Sequence, residues 1–310
     1  MNSPTSPFFG PVLGIGELLW DMFPTGRVVG GAPFNFSFHA CQAGLRGIPV
    51  SCVGKDEPGD ALLLVLQSRG LDTSFIQVNQ DFPTGSVGIT LSDGIPHYTI
   101  HGNSAWDHIA FTKDCREVVK TVRALCFGTL AQRSPNSRKA IQRLVKEVGL
   151  GGGLCILDVN LRQQFYTKEI LESSISLSRW VKLSSEDWPG MATALGLNSS
   201  SPEEELEKIR TAFGLELVAF TEGGKGASLF TPEGLIRIPA PKVKVVDTVG
   251  AGDAFTAGLL AARLAGQSWV RAGNYAVMLA AEVVRQPGGA PSLATEVLQR
   301  IHWDNQPKAG

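Results

Sequence analysis

Short apolar runs alternate with amphipathic windows along most of the chain. The runs are "PVLGIGELLWDMF" (11–23), "VSCVG" (50–54), "ALCFG" (124–128), "LCILDVN" (154–160), "RWVKL" (179–183) and "LELVAF" (215–220). They are nearly continuous, as strands are when both faces of their sheet are covered. Between them "FNFSFHACQAGL", "DALLLVLQSRG" and "SRKAIQRLVKEVG" carry helical spacing. Strand and helix in alternation predict an α/β fold, a parallel sheet with helices on both sides.

One segment breaks this rhythm. "SVGITLSDGIPHYTIHG" (86–102) reads as two period-two strands around a "DG" turn, a β-hairpin with one less buried face. With the segment around 17–30 it would form a small sheet outside the main layer. An antiparallel edge of the main sheet is the alternative. "SSSPEEE" (199–205) reads as a loop and helix start, with Ser201 as cap and Pro202 in the first turn. Neither an internal repeat nor a flexible linker interrupts the chain. The expectation is one domain over 1–310, with the small sheet built from segments near 17–30 and 86–107.

Composition narrows the function classes. The 310 residues are 43% hydrophobic and 18% charged, with a formal net charge of −1. That balance supports a sizeable core and gives no basic footprint for nucleic acid. The five cysteines form no CxxC pair and the five histidines no HExxH, so reduced thiols fit better than zinc or disulfides. The N-terminal stretch has no basic region of a signal peptide, and no run reaches membrane-spanning length. A cytoplasmic protein without a membrane partner is expected.

The candidate chemistry centres on "DTVGAGDAF" (247–255). Gly250, Ala251 and Gly252 open a helix, where backbone amides point outward beside the positive end of the helix dipole. Small side chains let an anion reach those amides, so the loop reads as a phosphate cradle with Asp253 beside it. A tight turn capped by Asp253 is the alternative for this stretch alone. The following "AFTAGLLAARLAG" is apolar almost all round, a buried helix whose mouth would hold an exposed acid. In "GRVVGGAPFNFSF" (26–38), Gly30 and Gly31 allow close backbone approach and Asn35 lies one helical turn on. With Asp21 these groups suit a polyhydroxy ligand. An ordinary turn and a cap are the plainer readings. "GGKGAS" (223–228) lacks Walker A spacing, and "GIG" (14–16) lacks the third glycine of a dinucleotide fingerprint, in a strand expected to continue to Leu19.

Together "DTVGAGDAF" and "GGAPFNFSF" make the chain resemble the ribokinase-like sugar kinases of the PfkB family. The match runs from "GELLWD" (16–21) to "GGAP" (288–291), and "PTGSVGI", "AWD", "FGTLAQR" and "DVNLRQQFY" are similar to the fructokinase-type branch. The resemblance implies a Rossmann-like, doubly wound, mostly parallel sheet with a small β-sheet lid that closes over a sugar and pairs two subunits into a homodimer. It implies ATP and magnesium as cofactors, with a potassium ion as a further expectation. It makes Asp253 the catalytic base and the amides of Gly250, Ala251 and Gly252 an anion hole. Asp21, Gly30, Gly31 and Asn35 correspond to sugar-binding positions, with Asn160 and Arg162 lining the phosphate and substrate side. Trp106, with Tyr98, is a candidate for stacking on substrate. Thr221, Gly223 and Gly226 are expected at the ATP phosphates and ribose, and Asn274 near adenine. Asp247, Val249 and Ser292 form the candidate monovalent-cation site. The family's Asn-x-x-Glu motif reads "SSED" here: Ser184 stands for Asn and Asp187 for Glu, both shorter, with Asp187 expected to meet magnesium through water.

The expected reaction is transfer of the ATP γ-phosphate to a primary hydroxyl, with D-fructose as acceptor. 2-Keto-3-deoxygluconate, ribose or a nucleoside are alternatives, with His97 and His101 the only positive groups that 86–107 offers the first. A non-catalytic sensor of sugar or nucleotide is a reading of another class. A free aspartate has a pKa of about 3.9, and amides at a helix start would weaken it further as a base. Asp253 is therefore expected to orient the hydroxyl and accept its proton late.

Overall fold

The computed structural model describes residues 10–24, 26–92, 95–197 and 201–302, with the side chains of 89–98 excluded. The Asp93–Gly94 turn and the side chains of His97 and Tyr98 therefore lie outside the described residues. Thirteen strands are described: β1 (Val12–Ile15), β2 (Leu19–Phe23), β3 (Gly26–Gly30), β4 (Gly47–Gly54), β5 (Ile76–Asn79), β6 (Gly85–Ser92), β7 (Ile95–Ile100), β8 (Ala124–Phe127), β9 (Leu154–Asp158), β10 (Trp180–Ser184), β11 (Leu217–Thr221), β12 (Gly226–Thr231) and β13 (Gly234–Pro239). The helices are α1 (Ala32–Gln42), α2 (Glu57–Ser68), α3 (Lys113–Val118), α4 (Pro135–Leu150), α5 (Lys168–Ser176), α6 (Trp188–Leu195), α7 (Pro202–Ala212), α8 (Ala251–Leu264), α9 (Trp269–Val283) and α10 (Thr295–Ile301).

The large sheet runs β13-β12-β11-β10-β9-β8-β1-β4-β5. All pairings from β11 to β5 are parallel, and β12 and β13 close one edge antiparallel. Strand β8 shows how both faces are filled. Leu125 and Phe127 join the core under α4–α7, while Ala124 and Cys126 face α1, α8 and α9. Period-two alternation inside an apolar run thus serves two helical layers, as a doubly wound sheet requires. Order reverses between β1 and β8, and ligands of such sheets bind outside the carboxyl ends of strands at that point.

The run at 11–23 is not one strand. β1 ends at Ile15, Gly16 turns the chain with φ +150°, and β2 enters the second sheet. That sheet has the order β3-β2-β6-β7, so the 86–102 hairpin pairs with β2 and does not extend the main sheet. It is tied to the body at α2. Trp20 Nε1 donates to the Pro58 carbonyl (2.9 Å), and the Asp56 carboxylate accepts from both the amide and the hydroxyl of Thr84, just before β6.

Candidate active site

The loop 247–250 delivers the chain to α8. Gly250 caps the helix in the left-handed region (φ 77°), and a side chain there would strike the Gly289 carbonyl. Only glycine meets both demands cheaply. The helix behind is buried from Ala254 to Ala262, so its N-terminal turn is fixed by packing. The Ala251 amide makes one long bond, 3.4 Å, to the Thr248 carbonyl.

Asp253 lies in that first turn. Its Oδ2 accepts from Asn35 Nδ2 at 2.9 Å. Burial first, then the Asp158 charge, push its carboxyl up to about 7, against the opposing pull of Asn35, Lys182 and Arg162. This corrects the sequence expectation of a weak base. The helix-start amides were weighed and the desolvation was not, and desolvation is the larger effect. A carboxylate in this range is well matched to accept a proton near neutral pH.

On one side of Asp253 stand the residues expected to hold sugar. Asp21 on β2 packs against Gly30, where a side chain would collide with its Oδ2. Its carboxyl is pushed up to about 6 by burial, with Arg162 opposing and Asp247 adding to the rise. Gly31 caps α1, and Asn35 follows one turn later with its Oδ1 buried and unpartnered. Glu17 is buried beside them, its Oε1 accepting from the Ala32 amide at 3.4 Å, and burial raises its carboxyl. Trp106 does not join this group. It is fully buried, its indole nitrogen lies against Gly85, and the Arg133 guanidinium covers its ring at 3.9 Å. Arg133 is held in turn by Asp107 through Nε and Nη2, both 2.8 Å. The aromatic in "AWD" is a core residue, because large rings gain most from full burial.

On the other side of Asp253 opens a cavity of about 540 Å³ lined by Gly250, Ala251, Gly252 and Asp253 themselves. Asn160, Arg162 and Ser184 line it from the ends of β9 and β10, and Thr221, Gly223 and Gly226 from the turn after β11. Asn160 holds φ +41°, an uncommon conformation for a residue with a side chain. The far wall is apolar: Val245, Val277, Ala280, Ala281 and Val284. Asn274 is absent from it. It shares the helical stripe of Val277 and Ala281, but at a 1.5 Å rise per residue it sits a turn short of the cavity.

The residues of the two metal expectations lie as follows. Asp187 Oδ1 accepts from the Leu161 amide (2.7 Å), and Oδ2 from the amide (2.8 Å) and hydroxyl (2.7 Å) of Ser184. Both oxygens are engaged, so the pair brackets the loop 158–162 and leaves Asp187 little acceptor capacity for a water. Its neighbour Glu186 is exposed on the cavity wall and is the carboxylate available there. Among the described residues no cluster of three or more His, Cys, Asp or Glu could hold a metal. Asp247 draws two loops together, accepting from the Val249 amide (3.0 Å) and the Gly288 amide (2.9 Å). Val249 and Ser292 are exposed at their edges.

Two charged residues of this centre escaped the sequence reading. Lys182 Nζ donates to Asp158 Oδ1 at 3.0 Å, both nearly buried and directly paired across β10 and β9. Their signal was present: a lysine and an aspartate inside otherwise apolar parallel strands require partners.

A doubly wound sheet with a small second sheet, an acid at a small-residue helix mouth and a cavity beside it define a ribokinase-like kinase site. The chain belongs to the pfkB family of carbohydrate kinases, whose model matches residues 17–296. It is similar to the uncharacterised sugar kinase PH1459 of Pyrococcus horikoshii, 28% identical over 299 residues, 90% of this chain and 92% of the relative. The crystal structure of that protein in complex with ATP superposes with TM-score 0.77 at 26% identity, covering 94% of this chain and all of that one. The aminoimidazole riboside kinase of Salmonella typhimurium is 26% identical over 79% of this chain and 78% of its own. Fructokinase-1 of Zea mays is 27% identical over 94% and 97%. Among the described residues no helix is long and apolar enough to cross a membrane.

Proposed function

We propose that the protein transfers the γ-phosphate of ATP to a primary hydroxyl of D-fructose. The observation that carries this reading is the place of Asp253. It stands between the cavity lined by Gly250–Gly252 and the cluster of Asp21, Gly30, Gly31 and Asn35. ATP in the cavity would set its apolar end against Val277, Ala281 and Val284 and its phosphates towards the start of α8. The sugar would lie on β2, β3 and the start of α1, its hydroxyl in reach of Asp253. With a carboxyl pushed up to about 7, Asp253 holds the hydroxyl by hydrogen bond and takes its proton as transfer proceeds. Helix-start amides and the Arg162 fork stabilise charge on the transferred oxygens, which is most of what a loose phosphoryl transition state needs.

Magnesium carried on the phosphates would meet Glu186, and its charge would further neutralise them. The loops joined by Asp247 offer oxygen donors suited to a hard monovalent cation such as potassium, which would stiffen the entry to α8. In this reading the small sheet is a lid, and the exposed Met22, Phe23 and Val28 on it are the surface through which two subunits pair. The five free cysteines fit the reducing cytoplasm.

Fructose is preferred because the fructokinase of maize aligns over nearly the whole chain. A nucleoside acceptor, as the name of the Salmonella relative describes for that protein, would gain from a stacking ring, and Trp106 is fully buried, its ring covered by Arg133. A sensor without catalysis would not need the intact acid and cradle. ADP release measured over a panel of fructose, ribose, 2-keto-3-deoxygluconate and nucleosides tests the assignment. Highest kcat/KM for any acceptor other than fructose overturns it.

A further inference from the structure

The centre contains one buried ammonium and two carboxylates that compete for it. Lys182 is attracted by Asp158, Asp187 and Asp253. Asp187 also attracts the ammonium but already accepts three hydrogen bonds from Ser184 and the Leu161 amide, so the contest that bears on the base is between Asp158 and Asp253. Asp158 takes the ammonium at 3.0 Å, and among the described residues no hydrogen bond joins Lys182 to Asp253. The parallel register of β9 and β10 sets Lys182 directly opposite Asp158, so the choice is built into the sheet. Thr256 completes the arrangement from α8. Its hydroxyl lies 3.2 Å from Asp158 Oδ2 and 3.0 Å from the Gly252 carbonyl, linking strand β9 to the helix start. Gly252 leaves the necessary space, since a side chain there would lie 2.6 Å from Lys182 Nζ.

We propose that Asp158 is a positioning residue for the transfer. By holding the Lys182 ammonium, and the first turn of α8 through Thr256, it keeps that ammonium off the Asp253 carboxylate. The base is then left to the acceptor hydroxyl. A buried ammonium without its counter-ion moves to the nearest carboxylate, because the alternative is an unpaired charge in low dielectric. Were it to settle on Asp253, the carboxylate would be neutralised as a base. The other groups facing Asp253 do not take this role: Asn35 from α1 is uncharged, Arg162 comes from the loop after β9, and the buried Cys126 thiol of β8 is pushed well up and stays neutral.

The inference rests on Asp253 being the base, and its test separates the two. The pH dependence of kcat/KM is measured for wild type, Asp158→Asn, Lys182→Met, the double variant and Asp253→Asn. Asp158→Asn should move the acid limb down by about 1–3 pH units, the usual effect of an opposite charge arriving beside a carboxylate. Asp158 also raises the Asp253 carboxyl by its own charge, so the fall from Lys182→Met to the double variant should be present but smaller than the fall from wild type to Asp158→Asn, where the ammonium arrives as well. A limb unmoved in Asp158→Asn while kcat falls would make Asp158 merely structural. An equal fall in both backgrounds would mean that Asp158 acts on Asp253 only through its own charge and not by holding the ammonium. Either result overturns the proposal. If Asp158→Asn does not fold, Asp158→Ser is measured in the same two backgrounds, with and without Lys182→Met. Turnover retained in Asp253→Asn would instead remove the base assignment.

Discussion

Asn35 on α1 donates its side-chain amide to the Asp253 carboxylate of α8 at 2.9 Å, joining residues 218 positions apart in the chain. The bond engages Oδ2, and in the proposed reaction Oδ1 would face the acceptor hydroxyl. Asp253→Asn should lower kcat by about 10²–10⁴ while ATP affinity is nearly unchanged. Steady-state kinetics with a separate nucleotide-binding measurement checks this. Wild-type turnover in the variant would end the assignment.

The burial of Asp253 also fixes the sign of its pH effects. Its carboxyl rises from 3.8 to about 7 on folding, so activity should show an acid limb near pH 7 and decline below it. A raised acid costs stability once ionised, and the cost grows between about pH 4 and pH 7 and is complete above. Asp253→Asn should therefore raise Tm over wild type, and more at pH 8 than at pH 5. A gain independent of pH would contradict the buried, raised carboxyl.

Asp21 stands apart from the cavity and beside Gly30. Loss of a half-buried carboxylate that accepted sugar hydroxyls would matter by roughly a few kcal/mol. Asp21→Ala should therefore raise the sugar KM far more than the ATP KM. Equal rises would point to a general disturbance of the fold.

The bracket made by Ser184 and Asp187 changes what substitution there should do. Glu186→Gln should raise the magnesium concentration for half-maximal rate, since that carboxylate is exposed on the cavity wall. Asp187→Ala should instead lower Tm by releasing the Leu161 amide and the loop carrying Asn160 and Arg162. Magnesium titrations and melting curves on the two variants distinguish the roles. An unmoved magnesium midpoint in Glu186→Gln would remove it from the metal's path.

Asp247 ties the loop before α8 to Gly288 at 2.9 Å. A monovalent cation bound there would stiffen the cradle without touching substrate. Activity should rise when potassium replaces a bulky organic cation at equal ionic strength. An unchanged rate would mean that the Asp247 bonds order the loops unaided.

The sequence by itself determined the helix-covered sheet and the helix start at Gly250. Apolar runs at 124–128 and 154–160 are legible as parallel strands because local patterning records burial, and the start of α8 because small residues before an apolar run mark a buried helix mouth. Tertiary structure decided the rest. Whether 86–102 joins the main sheet or β2, and that the run at 11–23 splits at Gly16, depend on partners far away in the chain. So does the buried fate of Trp106, and the engagement of Asp187 by Leu161. The strength of Asp253 as a base follows the same rule. Its residue type is written at position 253, but its desolvation and its neighbours Asn35, Asp158 and Lys182 arrive from α1, β9 and β10. A carboxyl's proton affinity is a property of the space around it, and only the folded chain makes that space.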